Sequence, residues 1–363
     1  MAHSSRPKQQ SHAPFGVPTL PRIDLGERVE GLLTPVELEP EPEPLPPPPV
    51  EEVIPHVPVI GRPVPSREKL IANRYEILEQ IGTGGMGKIF KVSHLDLGKV
   101  FALKIIHSEL SENPHARDMF YAEARMASSL EHRNIVSITD FGEDIRRGAF
   151  IVMELLRGES LADRLDRERR QMPTVALDII TQTADAVSFM HERGVIHGDI
   201  KPENVFLSTG EGPLQDRRRN QVKVLDFGLG RLKRSQRDRV GRVEDNLAGT
   251  PAYLAPERCC GSPPDEASDL YALGVLFYEM LTGEVPFDGN VAQILNAHIS
   301  TPPSPPSWRL PPGSQDDRFD DLILTCLAKD PSARFTSVRA LLEELVELME
   351  RVGMSKRRQE EPL

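Results

Sequence analysis

The sequence predicts an α+β fold in two lobes, a small β-rich lobe followed by a larger helical one, behind an N-terminal arm. The 363 residues exceed the size that a single hydrophobic core usually reaches, which favours two lobes. Short apolar or alternating stretches typical of strands recur through residues 75–155. Apolar side chains repeat at helical spacing in the later part of the chain, which indicates a helical second lobe.

The N-terminal arm, residues 1–72, differs in composition from the rest of the chain. It holds about half of the 33 prolines, with glutamates interspersed at Glu37, Glu39, Glu41, Glu43, Glu51 and Glu52. Proline removes amide donors and like charges repel, so we expect this arm to be extended and mostly disordered. It is either a solvated leader or a docking or regulatory arm with a partner of its own.

Charge and cysteine content argue against several classes of protein. The net charge of -11 argues against a dedicated nucleic-acid-binding protein. The three cysteines are too few for a disulfide framework, and Cys259 and Cys260 are adjacent, so we expect a reducing, cytoplasmic location. No run approaches the ~18 apolar residues that span a bilayer, so we expect no membrane span.

A glycine-rich stretch follows the start of the first lobe. It comprises Ile81, Gly82, Thr83, Gly84, Gly85, Met86, Gly87, Lys88 and Ile89. Glycines at this G-x-G-x-x-G spacing let backbone N–H groups approach phosphates closely. A dinucleotide-binding fold uses the same spacing but opens a helix there, whereas residues 88–92 alternate polar and apolar as a strand does. The stretch therefore predicts a hairpin that covers a nucleotide.

Two charged residues follow the glycine-rich stretch. Lys104 lies inside the apolar run Val100–Ile106, where a lysine either faces solvent or reaches a ligand. Its place after the glycines favours contact with the α- and β-phosphates of a nucleotide. A helix is predicted to begin at Pro114, since proline suits the first helical position, and it carries Glu123. We expect Glu123 to form an ion pair with Lys104 that positions the phosphates.

The end of the first lobe is predicted to bind the adenine ring. An apolar strand from residue 150 leads into a connector, where backbone groups of Glu154 and Leu156 can pair with the adenine edge. The ring faces would contact apolar side chains from both lobes, namely Ile89, Ala102 and Phe206.

The stretch Val195–Asn204 carries a carboxylate, an amine and a carboxamide at fixed spacing. Asp199 can orient a hydroxyl and accept its proton, Lys201 can neutralise a transferring phosphoryl group, and Asn204 can hold a metal ion. The pattern follows the phosphoryl-transfer loop H-R-D-x-x-x-x-N, with Gly198 in place of the arginine. Taken alone, the stretch is also compatible with a simple turn between two strands.

A second oxygen donor for the metal follows one strand later. The apolar run Val222–Leu225 ends at Asp226, which is followed by Phe227 and Gly228. Mg²⁺ prefers carboxylate, amide and phosphate oxygens, and Asp226 with Asn204 supplies the first two. We therefore predict Mg²⁺ as the metal, with Mn²⁺ as an alternative.

With these motifs the chain resembles the protein kinase superfamily, and within it the bacterial serine/threonine kinases of eukaryotic type, over about residues 75–350. Further matches are Gly249–Glu257, Ser268–Tyr271 and Arg334. The resemblance implies a bilobal kinase fold with an N-lobe at 73–155, a C-lobe at 156–350 and a polar tail at 351–363. It also implies that Glu257 pairs with Arg334 and that Asp269 anchors the stretch Val195–Asn204, the catalytic loop.

The resemblance implies an enzyme of bacterial signalling that transfers the γ-phosphoryl group of ATP to serine or threonine hydroxyls of protein substrates. The alternative is a binding module of kinase fold that uses the arm as a scaffold. Degenerate kinases usually lose the equivalents of Lys104, Asp199 or Asp226, and this chain retains all three.

Gly198 departs from the family pattern. The arginine expected there contacts a phosphate on the activation segment, and glycine has no side chain to do so. Ser235 is the only hydroxyl residue between Asp226 and Thr250. We therefore expect activity to be constitutive or controlled by another partner.

Overall fold

The structure of the protein is a computed structural model. It describes residues 67–84, 87–106, 114–209, 221–226, 251–313 and 315–354, without the side chains of residues 114–117, 119 and 123. The predictions for residues 1–66 of the arm, Gly85, Met86, the segment 227–250 and the tail from residue 355 lie outside the described residues.

The elements described in the small lobe are β1 (Leu70–Ile71), β2 (Tyr75–Gly84), β3 (Gly87–His94), β4 (Val100–Ile106), α1 (Pro114–Ser128), β5 (Ile138–Asp144) and β6 (Gly148–Glu154). The strands form a six-stranded antiparallel sheet in the order β1-β2-β3-β4-β6-β5. Side chains alternate between the faces of the sheet, so one face buries Phe90, Leu103 and Val152, while Ile106 and Ile151 pack towards α1 with Phe120.

The predicted elements of this lobe are found with small changes at their ends. The glycine-rich stretch forms the predicted hairpin, because β2 pairs with β3 up to Gly84 and Gly87. The helix begins at Pro114, as predicted. The sheet also includes Leu70 and Ile71, which the sequence boundary at residue 73 assigns to the arm, and Ile71 is fully buried.

The large lobe is mainly helical. Its described elements are β7 (Gly158–Ser160), α2 (Leu161–Glu168), α3 (Pro173–His191), β8 (Val205–Ser208), β9 (Gln221–Val224), α4 (Pro256–Cys259), α5 (Glu266–Thr282), α6 (Val291–Ser300), α7 (Pro306–Arg309), α8 (Asp320–Cys326) and α9 (Val338–Arg351). The strands form a three-stranded sheet in the order β7-β8-β9. Buried faces of α3, α5 and α9 share one core, so the lobe is organised around α3 and α5.

Helix α5 has well-defined ends that fix the position of its first turn. Asp265 and Ser268 form a reciprocal capping box at the N-terminus. Gly283 ends the helix in the left-handed conformation, with φ of 80°. The first turn carries Asp269, which is almost fully buried under the catalytic loop.

The longest helices of the large lobe are shorter or less apolar than a membrane span. Helix α3 has 19 residues and the more apolar α5 has 17, whereas a span needs ~20 predominantly apolar residues. Within the ranges that the structure describes, no helix has both the length and the apolar character to cross a membrane.

Candidate active site

The catalytic loop rests on the buried carboxylate of Asp269. Its Oδ2 accepts a hydrogen bond from the backbone N–H of His197 at 2.9 Å, and its Oδ1 accepts one from Gly198 at 2.8 Å. His191 Nε2 lies 2.9 Å from the same Oδ2. Two backbone donors on one carboxylate fix the loop just before Asp199, which confirms the predicted anchoring role of Asp269.

His197 connects the catalytic loop to the residues before Asp226. A backbone amide only donates, so Nδ1 of His197 accepts from the N–H of Asp199 at 3.2 Å. The proton is then on Nε2, which donates to the carbonyl of Leu225 at 3.1 Å. The N–H of Leu225 in turn donates to the carbonyl of Asn204 at 2.9 Å. These bonds hold the two predicted metal-binding segments side by side.

The side chains of Asp199, Lys201 and Asn204 lie close together. Lys201 Nζ lies 3.4 Å from Asp199 Oδ2. The amide nitrogen of Asn204 donates to the backbone carbonyl of Asp199 at 2.7 Å and to its Oδ2 at 3.1 Å. Because nitrogen makes both contacts, the amide oxygen of Asn204 is oriented away from them and is suited to a metal ion.

Lys104 and Asp226 form a close ion pair. Lys104 Nζ lies 2.7 Å from Asp226 Oδ1 and 2.6 Å from Oδ2, and the lysine is buried. Asp226 has a φ of 56°, in the left-handed region that costs a non-glycine residue about 1–3 kcal/mol. Such strain is typical of functional sites, where surrounding contacts hold the backbone in place.

The residues present fit a magnesium ion bound together with a nucleotide. Asp226 offers a carboxylate and Asn204 an amide oxygen, both hard donors that Mg²⁺ prefers. Across the described part of the chain, no three His, Cys, Asp or Glu side chains are grouped to hold a metal by themselves. The remaining ligands would therefore be phosphate oxygens and water.

Helix α1 flanks Lys104, but the predicted Lys104–Glu123 pair remains untested. The side chain of Glu123 lies outside the described part of the chain, and the ion pair that Lys104 forms there is with Asp226. An apolar cavity lies beside this pair, lined by Ala124, Ala127, Val136, Ile138, Ile151 and Met153. Sequence reasoning missed Ile151 and Met153. Alternation along β6 places both side chains on one face, where Ile151 is the cross-strand partner of Lys104 and Met153 that of Ala102.

The hairpin between β2 and β3 requires glycine at its second strand. Gly87 has a φ of 152°, and a Cβ there would lie 1.8 Å from the carbonyl oxygen of Ile105. Gly82 has room, with the Ile89 side chain 3.5 Å from the Cβ position. Ile81, Thr83 and Lys88 are exposed on the hairpin.

The residues predicted to contact adenine lie on the sheet face of Lys104, in the connector between the lobes and, for Phe206, in β8. Ile89 is paired with Lys104 across β3 and β4, and Ala102 is two residues from Lys104, so the three side chains share one face. The N–H of Glu154 already donates to the carbonyl of Ser137 at 3.0 Å, so the adenine pairing predicted for the backbone of Glu154 falls to its carbonyl group. The two remaining predicted contacts are half-buried, namely Leu156 and Phe206.

A buried ion pair links two distant segments of the large lobe. Arg334 donates from Nη1 and Nη2 to the two carboxylate oxygens of Glu257, each at 2.7 Å. It also donates to the carbonyls of Ala328 at 2.9 Å and Ala267 at 2.7 Å. This bidentate pair confirms the predicted Glu257–Arg334 contact.

Tyr253 ties the turn after Thr250 to α5. Its hydroxyl donates to the carboxylate of Glu279. Burial raises the pKa of Glu279, the hydrogen bond from Tyr253 opposes this, and the charge of Glu203 adds to the rise in pKa. Sequence reasoning missed this contact, which positions residues next to the catalytic loop.

Gly198 has a φ of 72°, and a Cβ there would lie 3.1 Å from Cβ of Pro264. We therefore expect Gly198→Arg to destabilise the protein by more than the ~1–2 kcal/mol of backbone strain. Gly194→Arg is the matched control, since Gly194 has a φ of 71° and no neighbour within 4 Å of the Cβ position. Equal melting temperatures for the two variants would show that Pro264 does not restrict position 198. Ser235 lies outside the described residues, so the expectation that a phosphate switch is lacking stays a prediction.

The chain belongs to the protein kinase family, since the family model "Protein kinase domain" matches residues 75–346. Serine/threonine-protein kinase pkn3 of Myxococcus xanthus is 37% identical over 282 residues, covering 76% of this chain and 50% of the relative. PknA of Mycobacterium tuberculosis is 36% identical over 274 residues, covering 74% of this chain and 59% of the relative. The chain thus spans about half the length of these curated relatives.

The fold comparison agrees with the family assignment. The kinase domain of Mycobacterium tuberculosis PknI matches with a TM-score of 0.59 and 25% identity, covering 77% of this chain and 97% of that one. The predicted bilobal fold and the predicted resemblance to bacterial serine/threonine kinases are therefore confirmed.

Proposed function

We propose that this chain is an ATP-dependent serine/threonine protein kinase of bacterial signalling. It transfers the γ-phosphoryl group of ATP to serine or threonine hydroxyls of protein substrates. The observation that carries this is the convergence of Asp199, Lys201 and Asn204 on one anchored loop, bonded through Leu225 to the segment of Asp226. The similarity to kinases named for serine and threonine supports the choice of acceptor.

Each polar residue has a role that follows from its chemistry. Asp199 orients the substrate hydroxyl and takes its proton late in the transfer. Lys201, 3.4 Å from Asp199, stabilises charge on the transferring group. Lys104 aligns the α- and β-phosphates, and backbone N–H groups of the glycine hairpin cover them. When bound at Asn204 and Asp226, Mg²⁺ supplies positive charge to the phosphates, and Mn²⁺ is the alternative.

The cellular setting is part of the proposal. The three cysteines are all free, which supports a reducing, cytoplasmic location. The net charge of -11 supports protein rather than nucleic acid as the macromolecular substrate.

The experiment is transfer of labelled phosphate from ATP to a generic basic protein, compared between wild type and Asp226→Asn. We expect wild-type transfer and a loss of about 100-fold or more in kcat/KM for the variant, because a ligand that places the metal contributes several kcal/mol. Asp96→Asn neutralises an exposed carboxylate in a turn of the small lobe and should retain full activity. Nucleotide binding without any transfer by the wild type would instead indicate a binding module.

A further inference from the structure

Lys223 of β9 joins the two lobes on the side of the connector. Its Nζ donates to Glu154 Oε1 at 2.7 Å and to the backbone carbonyl of Ile135 at 3.2 Å. The Lys223 side chain is 13% exposed and that of Glu154 is 33% exposed, so the pair is only partly shielded from water. We call Lys223, Glu154, Ile135 and Ser137 the interlobe latch.

On the small-lobe side, the latch holds both the backbone and the side chain of Glu154. The N–H of Glu154 donates to the carbonyl of Ser137 at 3.0 Å, and Oε1 accepts from the N–H of Ser137 at 2.9 Å. Glu154 is the last residue of β6, where the connector to the large lobe begins. Its carbonyl is the group that we assign to the adenine edge.

On the large-lobe side, the latch is connected to Asp226 through strand β9. The backbone of Val224 exchanges hydrogen bonds with the segment 134–136, at 2.8 Å to the carbonyl of Asn134 and 3.1 Å from the N–H of Val136. Buried Asn134 also donates its amide to the carbonyl of Val222 at 2.8 Å. Asp226 follows two residues after Val224, so the adenine end and the phosphate end of the site are connected through β9.

The contacts of Lys223 are not required to hold β9 itself. The strand pairs with β8 over its whole length and is bonded to Asn134 and Val136 by backbone groups. Because the Glu154 side chain is partly exposed, this ion pair contributes little to stability, which argues against a purely structural role. What distinguishes this pair is its location, because it links the last residue of β6 to the strand that precedes Asp226.

We propose that Lys223 is a positioning residue for ATP, acting through Glu154; this rests on the proposed kinase function. The ammonium group fixes the Glu154 carboxylate, and with it the backbone that receives adenine. The latch thereby sets the separation between the adenine contact and the metal-binding Asp226. Without it the two ends of the site move independently, and ordering them costs part of the nucleotide's binding free energy.

The test is Lys223→Met, which keeps the aliphatic stem and removes the charge. We expect KM for ATP and the Kd for ADP with Mg²⁺ to rise about three- to tenfold, while kcat changes less than about twofold. Lys223→Arg should restore most of the affinity, since a guanidinium can reach both acceptors. Glu154→Gln should weaken ADP binding similarly. The double variant should bind ADP no more weakly than either single variant, because both substitutions disrupt the same Lys223–Glu154 ion pair.

Lys91→Met is the matched control, since it removes the 2.8 Å ion pair of Lys91 with Glu79 across β2 and β3. Its ADP affinity should equal that of the wild type. The proposal is overturned if Lys223→Met leaves KM and Kd unchanged, if Lys91→Met raises them equally, or if Lys223→Met raises kcat. If Lys223→Met lowers both kcat and the melting temperature, the role of Lys223 is structural and the proposal is also overturned.

The two proposals fail in different ways. ADP affinity, measured by calorimetry, does not depend on phosphoryl transfer. If the wild type binds ADP without transferring phosphate, the proposed function is wrong and the comparison of ADP affinities still tests the latch. If the wild type transfers phosphate and Lys223→Met binds ADP normally, only the latch is wrong.

Discussion

Asp199→Asn is expected to lower kcat by about 10²–10⁴-fold, the contribution of a positioned general base, while the melting temperature stays unchanged. Asparagine can still accept the hydrogen bond that Asn204 donates to Asp199 Oδ2 at 3.1 Å. It cannot take the substrate's proton, and it offers no charge to Lys201. Lys104→Met should reduce transfer to a similar extent, since the phosphates lose their alignment.

The measurement is autophosphorylation together with labelled transfer to a basic protein, at saturating ATP. Asp288→Asn is the control, because Asp288 is exposed and its side chain accepts a hydrogen bond from Gly289, which asparagine can also accept. Wild-type turnover in Asp199→Asn would remove Asp199 from the mechanism. A large fall in its melting temperature would mean that the residue acts through stability instead.

Arg334→Met is expected to destabilise the protein by about 3–5 kcal/mol, because it leaves the charge of Glu257 largely buried and unpaired. The Arg334 side chain is 0% exposed and that of Glu257 is 15% exposed. Lysine is a poor replacement, since a single ammonium cannot reproduce the bidentate contact and the two further bonds to carbonyls. Thermal unfolding followed by circular dichroism measures the effect.

A matched surface pair gives the control for this prediction. Arg339 and Glu343 lie 3.5 Å apart on α9, and their side chains are 62% and 70% exposed. Arg339→Met should therefore shift the melting temperature little. The double variant Arg334→Met with Glu257→Leu should be less destabilised than the sum of its single variants, because no unpaired charge is left. Equal shifts for Arg334→Met and Arg339→Met would contradict the role of the buried pair.

The sequence determined the local parts of this protein. The alternation in Lys88–Val92 predicts β3, and the proline at position 114 predicts the start of α1, because both depend on neighbours in the chain. Asp199, Lys201 and Asn204 are likewise close in sequence, so a single loop brings them together. The spacing of these residues is the basis on which the sequence predicts the chemistry of the catalytic loop.

The tertiary structure decided the contacts between distant residues. Lys104 and Asp226 are 122 residues apart, and Lys223 and Glu154 are 69 apart. Lys223 lies in a strand of alternating polar and apolar residues, a pattern that predicts a solvent-facing lysine. Nothing in the sequence therefore indicated its partner. The sequence likewise did not indicate the left-handed backbone of Gly198 or its proximity to Pro264. Such pairs depend on how the sheet, the connector and the helices pack, and packing brings together residues whose separation carries no periodic signal.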